Sequence, residues 1–224
     1  MQRWTLVFFL VSVCASPFAR AEGIAIGAQA GTLGLGASLT VGLSEQWNVR
    51  GLVSGFSYDF DDEASDIDYD FDLDLGSIGA MVDWHPGGSG FRLSAGAFVN
   101  DNAVSGVGRP VPGSTVEIGD EVFDAADVDR AEADLSFDDI APYLGIGWGN
   151  AVGPDKRLGL SLDVGVLFQG APQADFRAFA AEGAPAGVQD LLDQEIAREE
   201  ENIQDDLDGF EFYPVVSLGL SWKF

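Results

Sequence analysis

The sequence predicts an all-β fold, namely an eight-stranded antiparallel up-and-down transmembrane β-barrel with long acidic extracellular loops and a short helix in the last loop. Three observations lead to this prediction. Eight segments alternate apolar residues with small or polar ones. The connections between them fall into a short class and a long class, as in bacterial barrels. Beyond the N-terminus, no segment approaches the roughly 18 consecutive apolar residues of a membrane-spanning helix. Such a chain can cross a bilayer only as a closed barrel.

The first 21 residues have the features of a secretory signal peptide. A basic residue precedes an apolar run at 4–13, and Ala19-Arg20-Ala21 fits a cleavage site with small residues. The run is too short to span a membrane. A lipoprotein signal at Cys14 is the alternative, but the residue before this cysteine is a poor one for lipidation. We therefore expect residues 22–224 to form a single barrel domain.

The C-terminal segment shows the strand alternation most clearly. From Val216 onward, apolar residues fall on one face and small or polar residues on the other, because successive side chains of a strand point to opposite sides. An apolar lipid face that ends in aromatic residues is typical of outer-membrane strands. The terminal residues Leu220, Trp222 and Phe224 resemble the signal read by the bacterial barrel-assembly machinery. We therefore predict that these three residues direct assembly.

Seven further segments show the same alternation, at residues 24–30, 35–43, 47–53, 78–84, 91–99, 140–148 and 158–168. The connections 44–46, 86–90 and 150–156 are short, whereas 60–65, 105–133 and 171–209 are longer. Bacterial barrels have short periplasmic turns and longer outer loops. The connection lengths therefore predict that both termini are periplasmic and that the long loops lie outside the cell.

Residues 186–207, in the last long loop, depart from the alternation. Five apolar residues recur at helical spacing among acidic residues and glutamine: Val188, Leu192, Ile196, Ile203 and Leu207. This spacing predicts the short helix.

Three predicted strands change parity partway along, at Gly55, at Gly76 and at Asp138-Asp139. A β-bulge inserts one residue and shifts the alternation, and glycine is frequent at bulges. We therefore expect a bulge at each site and a twisted rim above the lipid. After a bulge at Gly76, four aspartates would point to the barrel mouth, where they would attract solute: Asp68, Asp70, Asp72 and Asp74.

The predicted mature chain is strongly acidic. The full chain has 11 basic and 37 acidic residues, and removal of the two arginines in the first 21 residues leaves 9 basic residues and a net charge of −28. Such a chain repels nucleic acid, which is therefore not expected as a partner. Residues 59–74, 117–139 and 175–211, in and beside the long connections, hold nine, ten and twelve acids, which is 31 of the 37. These clustered acids are open to three interpretations: a solvated repulsive surface, a cation-attracting funnel, or divalent-cation binding shared with lipopolysaccharide phosphates.

Six charged residues are predicted to point into the lumen near its periplasmic end: Arg50, Asp83, Arg92, Arg157, Asp163 and Lys223. They form either a salt-bridged network that fills the lower half of the barrel or a cluster that gates or orients a solute. Eight strands enclose a space just wide enough for side chains. The lining is nevertheless rich in glycine, serine and alanine, which leaves room for a narrow solute route.

The sequence argues against an enzyme. Its only histidine, His85, lies in a predicted periplasmic turn, and no serine or carboxylate ladder could meet it at the outer leaflet. An EF-hand is excluded because Leu75 stands where its invariant glycine belongs. We therefore expect no catalytic residue, no resident metal and no cofactor.

Five segments, taken in order, resemble one known family. They are GTLGLGASL at 31–39, MVDWHP at 81–86, DDIAPYLGIGWGN at 138–150, LDVGVLFQGAPQ at 162–173 and FYPVVSLGLSWKF at 212–224. In this order they resemble the ornithine-uptake, carbapenem-associated (CarO-type) outer-membrane proteins of Gram-negative bacteria. The resemblance covers nearly all of the predicted mature chain. It implies an eight-stranded barrel in the outer membrane and a role in the uptake of small basic amino acids.

The predicted function is a narrow outer-membrane channel for small cationic or zwitterionic solutes, such as basic amino acids. The aspartate rim would gather the solute, and the luminal cluster would gate or orient it. The alternative is a non-conducting structural or surface-interaction barrel. The expected partners are outer-membrane lipid, lipopolysaccharide, the barrel-assembly machinery and the small solute, and the oligomeric state is left open.

Overall fold

A computed structural model describes residues 23–64, 66–153, 157–207 and 209–224. The predicted signal peptide lies outside these residues. Within them the chain forms one α-helix, α1 (Val188–Leu207), a short 3₁₀ turn (Pro86–Gly88) and thirteen strands. In chain order the strands are β1 (Gly23–Gly31), β2 (Gly34–Ser44), β3 (Trp47–Ala64), β4 (Ile67–Trp84), β5 (Phe91–Asn100), β6 (Ala103–Pro110), β7 (Thr115–Ile118), β8 (Glu121–Asp124), β9 (Val128–Ser136), β10 (Ile140–Trp148), β11 (Leu158–Phe168), β12 (Gln173–Ala180) and β13 (Phe212–Lys223).

Eight of these strands form a closed antiparallel barrel, which confirms the predicted fold class. Their order around the barrel is β1, β2, β3, β4, β5, β10, β11 and β13, and β13 pairs with β1. The ring is complete because β4 pairs with β5, with Ser77 opposite Asn100 at one end of the ladder and Trp84 opposite Leu93 at the other. A closed ring leaves no free edge, which is the condition that lipid imposes on a sheet.

The outward face of the barrel is a belt of exposed apolar side chains. Ile78, Leu160 and Leu218 are 61%, 78% and 66% exposed although they lie within barrel strands. Trp47 and Trp84 stack with their ring centroids 6.0 Å apart at the ends of β3 and β4. An apolar exterior with aromatic residues at its margin is the surface of a transmembrane barrel.

The two ends of the barrel differ in the length of their connections. At one end the strands are joined through residues 45–46, 85–90 and 149–157, and we name this the short-turn end. At the other end lie the β1–β2 turn and the connections 101–139 and 169–211, and we name this the long-connection end.

β3 and β4 continue beyond the barrel at the long-connection end and form part of a second sheet. Residues 67–74 of β4 pair with β6, β6 pairs with β9, and β9 pairs with β12. We name these strands, together with residues 56–64 of β3, the extension sheet. The segments predicted as long loops therefore contain ordered strands, and β7 and β8 form a separate hairpin.

The bulges predicted at Gly55 and Gly76 are wrong. β3 and β4 pair residue by residue along their full length without a register shift, and Gly55 lies opposite Gly76. The polarity of the two faces inverts at this pair instead: the outward side chains of β4 are apolar on the barrel side of it and acidic beyond it. The third parity change, at Asp138-Asp139, falls in the connection between β9 and β10 and is a break between two strands.

The helix predicted in the last long loop is confirmed as α1, which is 20 residues long. Its Leu192 is fully buried in a small core that joins α1, the β7–β8 hairpin and the extension sheet; the other buried members are Val116, Ile118, Phe123, Val128 and Ala178. In the described part of the chain, no helix has both the length and the apolar character needed to cross a membrane.

Two glutamines of α1 hydrogen-bond to the backbone of β12. Ala180 donates its N–H to Gln189 Oε1 at 2.8 Å, and Gln189 Nε2 donates to the Ala178 carbonyl at 2.9 Å. Further along, Ala174 donates its N–H to Gln204 Oε1 at 3.4 Å, and Gln204 Nε2 donates to the carbonyl of Pro172, just before β12, at 2.9 Å. The helix thus takes the place of a neighbouring strand at this edge of the extension sheet, which protects the edge from pairing with other chains.

Candidate functional site

Four charged side chains meet in the lumen, nearer its short-turn end. Arg50 donates to Asp163 from Nη1 and Nη2, at 3.1 and 3.0 Å, and to Asp83 Oδ1 at 3.1 Å. Arg92 Nη2 donates to Asp163 Oδ1 at 2.7 Å, and Ser94 Oγ donates to Asp83 Oδ1 at 2.5 Å. We name Arg50, Asp83, Arg92 and Asp163 the luminal network.

Strand alternation brings the luminal network together. Its members lie on the inward faces of four strands, β3, β4, β5 and β11, and all four are buried. Two arginines and two aspartates have no net charge, and each carboxylate accepts from more than one donor, which offsets part of the cost of desolvation. The network therefore fills the lumen as a neutral, cross-linked structure and does not present a net positive charge to a solute.

Two residues predicted for this cluster lie apart from it. Lys223 Nζ donates to the carbonyls of Val152 and Gly153, at 2.9 and 3.1 Å, which ties the last strand to a short turn. Arg157 is exposed just before β11 begins. The predicted placement of both in one luminal cluster is wrong, because at strand ends a long side chain reaches a turn or solvent rather than the centre of the lumen.

His85 and two asparagines close the short-turn end. His85 Nδ1 donates to the Ser89 carbonyl at 3.0 Å, so its Nε2 accepts from Asn48 Nδ2 at 3.0 Å. Asn48 Nδ2 also donates to Asn150 Oδ1 at 3.1 Å. Burial lowers the pKa of His85 below its usual value, which favours the neutral ring that this hydrogen-bond pattern requires. Both ring nitrogens of His85 are thus used in hydrogen bonds that close the short-turn end.

An apolar layer closes the lumen between the luminal network and the long-connection end. Its buried members come from six barrel strands and the β1–β2 turn: Leu33, Leu52, Met81, Phe98, Ala141, Tyr143, Leu167 and Val215. Phe98 and Tyr143 pack edge to face with ring centroids 5.5 Å apart, a favourable aromatic geometry. We name these eight residues the apolar plug.

Two cavities in the described part of the lumen are the size of water molecules. One of about 20 Å³ lies between the luminal network and the small residues of β1, β2 and β13, and its lining includes Gly27, Ser38 and Gly219. A second of about 10 Å³ lies between the network and the apolar plug. A cavity needs roughly 10–15 Å³ to hold one water. In this conformation the two cavities have room for one or two waters and not for an amino acid.

Three polar side chains near the outer margin of the apolar plug have buried atoms without a hydrogen-bond partner among the described residues. They are Ser54 Oγ, both polar side-chain atoms of Asn100, and Gln169 Oε1. Ser54 lies opposite Ser77, which lies opposite Asn100, so Ser54 and Asn100 belong to one row of inward positions. A buried polar atom without a partner costs about 1–3 kcal/mol. These atoms gain a hydrogen-bond partner when a water reaches them or when the plug opens.

The four predicted rim aspartates lie on the outward face of the extension sheet and not at the barrel mouth. Without a bulge at Gly76, the even-numbered residues of β4 keep the orientation of Ile78 and Trp84, which point away from the lumen. The predicted orientation towards the mouth is therefore wrong. The four residues concerned are Asp68, Asp70, Asp72 and Asp74.

The acidic ladder is a double row of carboxylates. Opposite the four aspartates of β4 stand Glu63, Asp61, Asp59 and Ser57 of β3, and we name the seven acids of these two rows the acidic ladder. Desolvation, followed by the charge of Asp59, raises the pKa of Asp72 above its usual value. Arg109 pairs with Asp70 at 2.5 Å, with both side chains more than half exposed. Within the described ranges, no group of three or more acidic, histidine or cysteine side chains is arranged to hold a metal ion.

The opposite face of the same two strands carries a row of aromatic side chains. The sequence did not lead us to predict that these side chains form a continuous surface. Phe56, Tyr58 and Phe60 of β3 and Tyr69 and Phe71 of β4 stack with successive ring centroids 5.0–6.3 Å apart. We name these five residues the aromatic row. The three rings of β3 are 45%, 55% and 42% exposed. The signal that could have revealed the row is the strict alternation of aromatic and acidic residues in both strands.

The three predicted assembly residues lie on the outward face of β13. This strand pairs with β1 on one side and β11 on the other. Leu220, Trp222 and Phe224 are exposed, and the backbone N–H of Phe224 donates to the Ile24 carbonyl at 3.0 Å. Their orientation is that of a lipid-facing row, and their recognition by the assembly machinery stays a prediction.

Comparisons with known proteins bear on the fold. No family model and no curated protein matches this sequence. The chain is similar to the crystal structure of Acinetobacter baumannii CarO2, with a TM-score of 0.58 and 21% identity over 92% of this chain and 100% of that one. It is also similar to the crystal structure of Acinetobacter baumannii CarO, with a TM-score of 0.57 and 20% identity over 90% of this chain and 98% of that one. The protein thus has a CarO-type fold, a closed eight-stranded antiparallel β-barrel with one helix.

Proposed function

We propose that this protein is an outer-membrane β-barrel with a closed lumen, and that it functions as a binding surface outside the cell. The observation that carries this proposal is the contrast between the lumen and the extension sheet. The lumen is filled by ion pairs and apolar side chains, whereas the extension sheet is a folded structure with its own core and two exposed, chemically distinct faces.

The filled lumen favours a barrel that does not conduct. A solute would have to separate the apolar plug and then the luminal network, since the cavities of about 20 and 10 Å³ are too small for it. Breaking a buried ion pair by removal of one partner costs about 3–5 kcal/mol, and this network has several such contacts. The closed arrangement is therefore expected to be the dominant one.

The extension sheet has the features of a binding surface. A contiguous row of exposed aromatic side chains is uncommon on a protein surface unless a partner covers it. The acidic ladder on the other face would attract basic partners over a distance comparable to the Debye length, about 8 Å at physiological salt. The short turns at the opposite end of the barrel support an extracellular location of this sheet.

We also propose that the apolar belt contacts outer-membrane lipid and lipopolysaccharide. The C-terminal residues Leu220, Trp222 and Phe224 would be recognised by the barrel-assembly machinery during insertion.

Conductance in planar bilayers tests the closed lumen. We expect refolded wild-type protein to give no persistent channels. A variant in which Leu33, Phe98 and Tyr143 are all replaced by alanine removes the bulk of the apolar plug and serves as the positive control, after heat-modifiable migration has shown that it is folded. Regular channels from the wild-type protein would overturn the proposal.

The extracellular location is tested with two epitope tags in comparable exposed turns. A tag after Glu182, before α1, should be labelled on intact cells. A tag after Gly88, in a short turn, should be labelled only after the outer membrane is permeabilised. Labelling at Gly88 on intact cells would reverse the proposed orientation.

A second candidate function is a narrow channel for small cationic or zwitterionic solutes, such as basic amino acids. The buried, unpartnered atoms of Ser54, Asn100 and Gln169 favour it, because opening of the apolar plug would hydrate them. Leu33 lies in the β1–β2 turn, so movement of that turn would remove one member of the plug. The acidic ladder would raise the local concentration of cations.

Uptake of radiolabelled arginine into proteoliposomes separates the two candidates. A channel would admit arginine faster than glutamate, and Leu33→Gly would increase the rate. Leu35→Gly is the matched control, since Leu35 lies in the same hairpin but faces outward. A closed barrel would leave both solutes at the rate of protein-free liposomes.

A further inference from the structure

The two edges of the extension sheet end differently. At β12 the glutamines of α1 hydrogen-bond to backbone groups of Ala174, Ala178 and Ala180. At the other edge, β2 pairs with β3 only as far as Leu35 opposite Gly55. Among the described elements, the extensive contacts of β3 are with β2 and β4. Residues 56–63 of β3 thus have a neighbouring strand on one side only, and we name this stretch the open edge.

The backbone groups that face the open edge can be assigned. Gly76 donates its N–H to Asn102 Oδ1 at 3.0 Å, and its carbonyl accepts from the Asp101 N–H at 2.8 Å; both partners follow β5, on the side of β4 away from β3. Residues opposite each other in an antiparallel pair exchange both hydrogen bonds or neither. Gly55, opposite Gly76, therefore also directs its N–H and C=O away from β4.

The same alternation continues along the open edge. The odd-numbered residues direct their backbone N–H and C=O groups away from β4, and they are Ser57, Asp59, Asp61 and Glu63. The N–H of Glu63 donates to Asp62 Oδ1 at 2.9 Å, so the free N–H groups of the open edge are those of Ser57, Asp59 and Asp61. The stretch is regular for eight residues, without a bulge or a proline, and spans about 27 Å at 3.4 Å per residue. A long, regular and exposed edge of this kind is a template for an added strand.

The side chains of the open edge define the chemistry of an occupant. On one face, three acids of the acidic ladder follow Ser57 at every second position, and on the other face stand Phe56, Tyr58 and Phe60. In an added antiparallel strand, side chains directly opposite each other on the same face interact. Basic residues would meet the acids, and apolar residues at the intervening positions would meet the aromatic row.

A second copy of this chain is a poor occupant of the open edge. Antiparallel pairing of two such edges would place Asp59, Asp61 and Glu63 of one copy against the same acids of the other. Like charges in directly opposed positions are destabilising. Charge complementarity therefore selects a basic partner over self-association.

We propose that the open edge binds an extended segment of a partner protein, in which basic residues alternate with apolar ones, as an additional antiparallel strand. This inference rests on the proposed function as an extracellular binding surface. Main-chain hydrogen bonds to the odd-numbered residues provide affinity, and the alternating side chains fix the register and the face.

A nine-residue peptide of alternating lysine and valine, carrying a fluorophore, tests the proposal by anisotropy with refolded protein in detergent. We expect saturable binding that weakens with salt. A peptide of the same composition with its lysines in one block should bind about tenfold more weakly. Equal binding of the block peptide would show that the attraction is only electrostatic and would overturn the added strand.

N-methylation of the peptide gives a sharper control. Lysines that lie opposite the acids are the residues that exchange backbone hydrogen bonds with the open edge, whereas the valines direct their N–H groups to solvent. Methylation of the lysine amides should weaken binding about tenfold or more, and methylation of the valine amides should leave it within about twofold. Equal effects of the two methylated peptides would contradict pairing at this edge.

Variants of Asp61 test the protein side. Asp61→Asn removes a charge but keeps the N–H, and should weaken binding about two- to fivefold. Asp61→Pro also removes the N–H that faces solvent, without loss of a hydrogen bond to β4, and should weaken binding at least tenfold. Asp70→Asn, on β4 opposite Asp61, is the matched control and should have a smaller effect than Asp61→Asn. Equal affinities of Asp61→Pro and Asp61→Asn would overturn the proposal; if the proline variant does not fold, the methylated peptides decide.

These measurements are independent of conductance. A protein that forms channels and still binds the alternating peptide at the open edge would overturn only the closed-barrel function. A protein that conducts nothing and does not bind the peptide would overturn only the added strand.

Discussion

The luminal network and the acidic ladder use the same carboxylates in opposite ways. In the luminal network two aspartates meet two arginines, and all four side chains are almost fully buried. In the acidic ladder seven acids share one neighbouring arginine, Arg109, and they are exposed to solvent.

Burial decides what a charge does in this protein. A buried charge that loses its partner cannot be solvated, so the luminal network resists change and holds the barrel strands together. An exposed carboxylate is screened by water and salt, so each member of the acidic ladder contributes little alone. The ladder acts through its summed field, which attracts basic partners without fixing the fold.

The largest expected effect is that of Arg50→Ala. Arg50 contacts both aspartates of the luminal network, and its removal leaves them with fewer donors in a buried site. We expect the free energy of unfolding to fall by about 3–5 kcal/mol, measured by urea titration of the folded protein. Arg157→Ala removes an exposed arginine and should change it by less than about 0.5 kcal/mol. Similar decreases in the free energy of unfolding for the two variants would contradict the distinction between buried and exposed charges.

Phe224→Ser asks whether an exposed residue can matter through assembly rather than stability. Phe224 is 75% exposed, so its side chain contributes little to packing within the chain. We expect the yield of folded, heat-modifiable barrel in cells to fall several-fold, because the terminal aromatic is the proposed recognition element. Leu158→Ser, an exposed change on the neighbouring strand β11, is the control. An unchanged yield for Phe224→Ser would show that this residue is not the assembly signal.

A moderate effect is expected from pH at the short-turn end. His85 has a lowered pKa in the folded protein, so below about pH 6.5 the unfolded chain binds more protons than the folded one. Stability is therefore full above that pH and falls as the pH decreases through it. Unfolding midpoints at pH 7 and pH 5 should differ more for the wild type than for His85→Asn. An equal pH dependence in both proteins would mean that another group titrates.

The smallest effect on stability is expected from the joint replacement of Asp68, Asp70, Asp72 and Asp74 by asparagine. Loss of the exposed pair with Arg109 costs little, and relief of like-charge contacts across β3 and β4 offsets it. We expect a change within about 1 kcal/mol, together with a weaker dependence of the unfolding midpoint on salt. If the protein is a channel, arginine uptake should also fall in this variant. A loss as large as that of Arg50→Ala would show that the ladder is part of the folding core.

The barrel could be predicted from the sequence because a pleated strand in lipid obeys one rule. Apolar residues face outward at every second position, as at Leu218 and Leu220, and this rule located all eight strands. The helix at Val188–Leu207 was predicted for an equivalent reason, since its apolar residues recur at helical spacing. The rule failed at Gly55 and Gly76, where the outward face changes from apolar to acidic without a change of register. Parity identifies a face, but only the surroundings decide whether that face is apolar.

The parts of the candidate site that follow from strand alternation were predicted. The parts formed by a turn residue or by long side chains that extend to another element were missed. Arg50, Asp83, Arg92 and Asp163 are inward positions in the middle of strands, and the structure brings them together. Leu33 enters the apolar plug from a turn, where no periodicity applies. Gln189 and Gln204 reach β12 through long side chains, and nothing in their spacing indicates that contact.

The inversion of polarity at the Gly55–Gly76 pair also sets the height of the apolar belt, and hence the hydrocarbon thickness that would match it. The stacked Trp47–Trp84 pair and the Gly55–Gly76 pair are separated by eight residues in the same ladder. At about 3.4 Å per residue this is about 27 Å along the strands, or about 21 Å along the barrel axis for a tilt near 40°. The hydrocarbon slab that matches this height is thinner than the average of about 30 Å, as in a bacterial outer membrane. In thicker bilayers the acidic ladder would begin below the lipid surface, so insertion efficiency should decline as the acyl chains lengthen.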